Sequence, residues 1–150
     1  MNVAIVSDST GYLTPELTPP GLTIVPVAVI LEGTSYDEGT EISVAEVADA
    51  LRRKAAVSTS RPAPARFAEE YTALAEQGFD RIVSVHLSGD MSGTYDSARM
   101  AARDAAVPVT VVDSRTVGTA LGFAARSAAQ VVAAGGRPPA TSRRSTRAST

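Results

Sequence analysis

Residues 88–98 read SGDMSGTYDSA and place Ser88, Ser92, Thr94 and Ser97 around Gly89 and Gly93, with no lysine and no cysteine among them. An apolar run precedes this stretch and a helical pattern follows it. A loop that passes from strand to helix leaves backbone N–H groups free at the helix start, and hydroxyls beside them add donors for an anionic oxygen. Several catalytic patterns fail against the same residues. A P-loop needs G-x-x-x-x-G-K-[ST], and GDMSGT has neither the spacing nor the lysine. An aspartyl phosphatase would want a carboxylate two residues after Asp8, where Thr10 stands. A hydrolase elbow, G-x-S-x-G, needs its serine one residue earlier than Ser92. His86 is the only histidine and the only side chain whose ordinary pKa lies near neutrality. By alternation it lies opposite Val85 and Leu87, and a lone histidine within a strand reads as a satisfied core group rather than a base. The carboxylates are scattered, the adjacent pairs Asp37–Glu38 and Glu69–Glu70 reading as a turn and a helix surface, so no metal site and no cofactor are implied.

The elements that must position these residues come from an ordinary globular composition. Hydrophobic residues make up 44% of the 150, the net charge is −2 and no cysteine is present. No segment has the ~18 consecutive apolar residues of a membrane span. The start, MNVAIVSDST, has no basic stretch and reaches Asp8 too early for a signal peptide, so a cytoplasmic location is expected. All sixteen acids lie at or before Asp113, while Arg137, Arg143, Arg144 and Arg147 fall in the last fourteen residues, leaving residues 1–136 at −6. An acidic body argues against nucleic acid as the partner, since phosphate neutralisation supplies most of that affinity.

Residues 2–9, 23–31, 80–88 and 107–114 read as strands, with an edge or bulge at Pro26. Ser43 and Glu46 form a capping box before an amphipathic helix over 44–54. Further helices are expected over 64–77, with Phe67, Tyr71 and Leu74 on one face, and near 94–105. The last helix places Val117, Leu121, Ala124, Ala128 and Val131 on one stripe. Residues 57–64, VSTSRPAP, read as a loop. The alternation specifies an α/β domain with a mainly parallel sheet and helices on both faces. Ligands in such sheets bind beyond the carboxyl ends of the strands. The segments following the apolar runs are SDST (7–10), STS (58–60), SGDMSGT (88–94) and DSRT (113–116). Any one of them is ordinary helix-capping chemistry; four at one sheet edge favour a binding site for a carboxylate or phosphate oxygen.

Taken in order, VAIVSDSTGYLTPEL, TIVPVAVILEGTSYDEGTEIS, STSRPAPARFAEEY, RIVSVHLSGDMSGTYDSARMAA and TVVDSRTVGTALGF resemble the DegV family of bacterial fatty-acid-binding proteins over residues 2–136. The resemblance implies two α/β parts enclosing a long-chain fatty acid such as hexadecanoate. It implies a carrier rather than an enzyme, which presents its ligand to a cytoplasmic fatty acid kinase that makes an acyl phosphate. The family's carboxylate contacts are the threonine of a TS-x-P loop and the serine of an SGT loop, which here are Thr59 and Ser92. The residue between TS and P, usually small and polar, is Arg61, which either adds a cation at the head group or faces solvent. The family continues past the equivalent of Gly136 into a second domain that supplies a histidine, an arginine and part of the lipid tunnel. Here RPPATSRRSTRAST follows instead. The expectation is therefore a DegV-like fatty-acid-binding domain over 1–136, a missing second domain, and a basic disordered tail over 137–150. Two other readings stand beside the carrier: a serine-dependent hydrolase or acyltransferase with Ser92 as nucleophile and His86 as base, and a folded remnant that binds nothing.

Overall fold

Pro26 divides what the apolar run of residues 23–31 presents as one strand. In the computed structural model, which describes residues 1–135, Val3–Asp8 (β1) pairs in parallel with Leu22–Val25 (β2), while Ala28–Leu31 (β3) starts a second sheet. Proline has no N–H to give a ladder, so the chain changes sheets at that point. Arg81–His86 (β6) pairs with the other edge of β1, and Val109–Asp113 (β7) pairs with β6, giving a four-stranded parallel sheet in the order β2-β1-β6-β7. The second sheet is antiparallel, with β3 between Thr34–Asp37 (β4) and Val57–Ser60 (β5).

Strand β5 corrects the expectation of a loop over 57–64. Its residues carry little apolar alternation, but Ser58, Thr59 and Ser60 stand opposite Ile30, Val29 and Ala28, so the ladder rather than the side chains makes the strand. The antiparallel sheet is thus an addition to the expected α/β architecture, whose parallel sheet does carry helices on both faces. Pro64–Glu76 (α2) and Thr94–Ala102 (α3) pack Phe67, Tyr71, Leu74, Ala98 and Ala101 on Ala4, Val6 and Ile82. Thr119–Ala133 (α4) packs Leu121, Ala125, Ala128 and Ala129 on Val3, Ile5, Val83 and Val85. Each wholly buried large side chain in these layers stabilises the fold by about 1.5–3 kcal/mol.

The buried stripe of α4 differs from the expected one: Val117, Ala124 and Val131 are exposed, and Gly122, Ala125 and Ala129 face inward. An alanine-rich helix has little hydrophobic contrast, and here small residues are selected for close approach. A Cβ on Gly122 would come 2.6 Å from the carbonyl oxygen of Gly11, in the 3₁₀ turn Ser9–Gly11 after β1. Val44–Arg52 (α1) starts with the expected capping box, Glu46 N–H donating to Ser43 Oγ at 3.1 Å and Ser43 N–H to Glu46 at 2.7 Å. Its Val44 and Leu51 are exposed and only Ala50 is buried. The expected boundary at 136 and tail 137–150 lie outside the described residues.

Candidate functional site

Because β1, β6 and β7 run in parallel, Asp8, His86 and Asp113 all lie at one edge of the sheet, and three of the hydroxyl-rich segments follow them. The segments are stitched to one another through backbone groups. Ser114 N–H donates to His86 O at 3.0 Å, Ser88 N–H to Thr116 O at 2.9 Å and Gly118 N–H to Thr10 O at 3.0 Å. Gly89 packs close to the end of β7: a Cβ there would lie 3.0 Å from an Asp113 carboxylate oxygen and 3.3 Å from the Tyr95 ring.

Within the 88–94 loop, Ser92 accepts a hydrogen bond from Thr94 N–H at 3.2 Å, and its hydroxyl meets the Thr94 hydroxyl at 2.9 Å. Ser92 is half-buried and Thr94 fully buried. Neither is the cap of α3. That position is Gly93, which offers no side chain, while the Thr94 N–H at the amino end of α3 is taken by Ser92 Oγ. Ser97, in the first turn of α3, is fully buried, and its hydroxyl has no hydrogen-bond partner among the described residues.

The fourth segment, STS (58–60), comes from the other sheet. Thr59 lies exposed on β5, an edge strand. Two residues on, the Arg61 side chain lies across Gly93: a Cβ on Gly93 would meet Arg61 Cδ and Nη1 at 2.6 Å. The Arg61 side chain thus reaches the Ser92–Thr94 turn from the segment that follows β5.

His86 lies beneath this edge and is wholly buried, its ring edge-on to Phe67 with centroids 5.0 Å apart. Its Nδ1–H donates to Asp8 Oδ2 at 2.8 Å, and its Nε2 accepts from Ser84 Oγ at 2.6 Å. Ser84 in turn accepts from the Tyr71 hydroxyl at 2.8 Å. Asp8 also accepts from Leu87 N–H at 3.2 Å, from Thr10 N–H at 3.0 Å and from the Thr10 hydroxyl. Every donor in this chain meets an acceptor when His86 carries its proton on Nδ1. Burial pushes the Asp8 carboxyl up, but the hydrogen bonds it accepts from His86, Thr10 and Leu87 outweigh it, and the group lies below its ordinary value of 3.8. Burial pushes the Tyr71 phenol up to about 12, against the opposing bond with Ser84.

An Asp–His–Ser sequence of bonds has the form of a hydrolytic triad, but Ser84, His86 and Asp8 are each 0–1% exposed. Both ring nitrogens of His86 are engaged, and neither with Ser92, so the pairing that the hydrolase reading requires is not made. The core reading of His86 holds. Sequence reasoning missed Asp8 and Ser84 as its partners; the available signal was that both Asp8 and His86 end apolar strands. A separate cleft of about 460 Å³ lies between α1 and the antiparallel sheet, over Leu31, Tyr36, Ile42 and Ala45. Its acids are already engaged, Glu46 in the capping box, Glu41 with Asp37 N–H and Asp49 with Arg53.

The fold and its edge define an α/β domain that gathers hydroxyls and a helix amino end around the carboxyl ends of parallel strands. The family model for "Uncharacterised protein, DegV family" matches residues 2–148, and the chain belongs to the DegV family. A DegV domain-containing protein of Streptomyces coelicolor is 51% identical over 136 residues, covering 90% of this chain and 48% of the relative. Among solved structures, a DegV family protein from Thermus thermophilus, described as fatty acid binding, superposes with a TM-score of 0.80 at 34% identity, over 90% of this chain and 49% of that one. A stearic-acid-binding protein from Eubacterium ventriosum gives 0.81 at 27% identity, over 91% and 49%. The chain thus spans about half the length of these relatives. Among the described residues, no helix is long and apolar enough to cross a membrane.

Proposed function

We propose that this chain binds a long-chain fatty acid such as hexadecanoate, with Thr59 and Ser92 donating hydrogen bonds to its carboxylate. The observation that supports the reading is the Arg61 side chain, two residues after Thr59, lying across Gly93, next to Ser92. Hydroxyls and a helix amino end suit a carboxylate, which accepts several hydrogen bonds and is favoured by the helix dipole. The fatty-acid-binding solved relatives support the ligand class. The protein acts as a carrier rather than an enzyme: the one histidine is sealed in the core and bonded on both nitrogens. It serves in the cytoplasm, presenting the acid to a fatty acid kinase, with residues 1–136 as the binding domain and 137–150 as a basic appendage to it.

The test is a titration of hexadecanoate against the wild type, Thr59→Ala and Ser92→Ala. Loss of one hydrogen bond to a charged acceptor costs about 1.5–3 kcal/mol, so each variant should bind roughly tenfold to a hundredfold more weakly. Equal affinity in all three proteins would overturn the assignment.

A further inference from the structure

Helix α4 covers the parallel sheet with one face and leaves an uncharged face in solvent. On the side away from the sheet, Ala120, Phe123, Ala124, Ser127 and Val131 are all exposed, Phe123 at 63%. Their spacing of three and four residues gathers them into one stripe about 100° wide. Charge sets α4 apart from the other helices of the described residues. Helices α1, α2 and α3 each turn acids to solvent, among them Glu46, Glu69 and Asp96. Helix α4 has no acid and a single cation, Arg126, which is half-buried and lies off the stripe. A helix face free of charge, with a phenylalanine largely in water, has the composition of a contact surface.

We propose that this face docks against α4 of a second copy of the chain, antiparallel, about a two-fold axis at Ser127. Charge selects the occupant. Residues 1–136 carry a net −6, so two copies repel wherever their acids meet, and the α4 stripe meets its own image without opposed carboxylates. The basic residues 137–150 would find no carboxylate on it. A helix lying on a membrane carries lysines and arginines along its border, where α4 has Arg126 alone. Spacing selects the geometry. A two-fold axis makes residue i of one copy face residue j of the other, and j face i. Phe123 and Val131 stand four residues before and four residues after Ser127, so each phenylalanine meets the valine of the other copy. Ala124 and Ser127, between them, are small enough for the two helices to approach closely. A helix of 15 residues is about 22 Å long, which puts the contact at the small end of specific interfaces and its dissociation constant in the micromolar range.

The experiment is sedimentation velocity of the full chain over a concentration series, without added lipid. The wild type should pass from monomer to dimer. Phe123→Glu and Ala124→Glu should each weaken the dimer by roughly tenfold or more, because each buries a charge against its own image. Leu51→Glu, at an exposed apolar residue of α1, should leave it unchanged, and Arg126→Ala should not weaken it. All four sites lie outside the buried core, and an unchanged thermal melt by circular dichroism confirms that each variant folds. The chain has no cysteine, so Ser127→Cys with a short bismaleimide reads the axis directly. It should give a covalent dimer that Phe123→Glu suppresses, whereas Ala68→Cys, exposed on α2, should give none. A wild type that stays monomeric up to ~0.5 mM overturns the inference. So does a dimer indifferent to Phe123→Glu and Ala124→Glu, or a monomer that cosediments with phosphatidylcholine vesicles through Phe123, which would give the face to a membrane.

Discussion

Replacing His86 with alanine tests whether the buried chain of hydrogen bonds holds the strand ends together. The imidazole donates to Asp8, accepts from Ser84 and packs edge-on against Phe67. Its removal forfeits a bond to a charged acceptor, worth about 1.5–3 kcal/mol, and leaves the Ser84 hydroxyl without its acceptor, at about 1–3 kcal/mol. The lost aromatic contact adds about 0.5–1.5 kcal/mol. These terms overlap, and a total of about 3–5 kcal/mol is expected, a large fraction of a domain's stability. Urea denaturation followed by far-UV circular dichroism measures it. His86→Asn retains an N–H near the Nδ1 position and should recover a third to a half of the loss. Acid denaturation supplies a second readout. Asp8 titrates below its ordinary value of 3.8, so its contribution is present above that pH and is lost as pH falls through the lower folded value. With the imidazole gone the contribution shrinks, and His86→Ala should lose less stability on acidification than the wild type. A loss under about 1 kcal/mol at neutral pH, with an unchanged acid profile, would refute the account.

Two further outcomes follow from the same geometry. Gly122→Ala gains about 1 kcal/mol of helix propensity, but its Cβ meets the Gly11 carbonyl at 2.6 Å, backbone against backbone. Overpacking of this kind costs about 1–3 kcal/mol, so a net loss in a thermal melt is expected, together with weaker fatty acid binding as the adjoining Thr10 turn shifts. Tyr71 carries a phenol raised to about 12, so its stabilisation is complete below pH 10 and declines as pH rises from 10 through 12. The shift corresponds to a loss on the order of 2–3 kcal/mol, which Tyr71→Phe should not show when urea midpoints are compared at pH 9 and pH 11.5.

Strands β1, β6 and β7 were legible because each is a short apolar run bounded by polar residues, and α1 because Ser43 and Glu46 announce its first turn. Strand β5 was not legible: Val57, Ser58, Thr59 and Ser60 become a strand only because β3, some 30 residues earlier, lacks a partner on that edge. The stripe of α4 was misread for a related reason, since alanine and glycine carry little hydrophobic signal and are selected by how closely α4 approaches Gly11. The site was legible as residue types at strand ends. The bonds of Asp8 with His86 were not, because the two lie 78 positions apart and meet only when β1 and β6 become neighbours. Arg61 stood out in the sequence by its chemistry, while its place against Gly93 is a property of the packed loops.

The two candidate head-group donors come from different sheets, so any ligand geometry depends on how those sheets are held together. Ser9 is well placed to do this. It follows β1 directly, accepts a hydrogen bond from Val27 N–H at 3.0 Å, and donates to Glu38 at 2.7 Å. Val27 is the buried residue at which the chain passes from β2 to β3, and Glu38 follows β4, its own N–H donating to Val27 O at 3.0 Å. One hydroxyl thus ties the ligand edge of the parallel sheet to both the start of β3 and the end of β4, and β5 is carried by β3. The same serine reads in sequence as a helix-cap residue of the SDST segment, yet Asp8 takes that role by accepting Thr10 N–H and leaves Ser9 free to bridge. The hydroxyl-rich character of these loops therefore has two physical sources. The Ser9 hydroxyl ties the two sheets together, whereas the hydroxyls of Thr10, Ser88, Ser92 and Ser114 bond within their own turns.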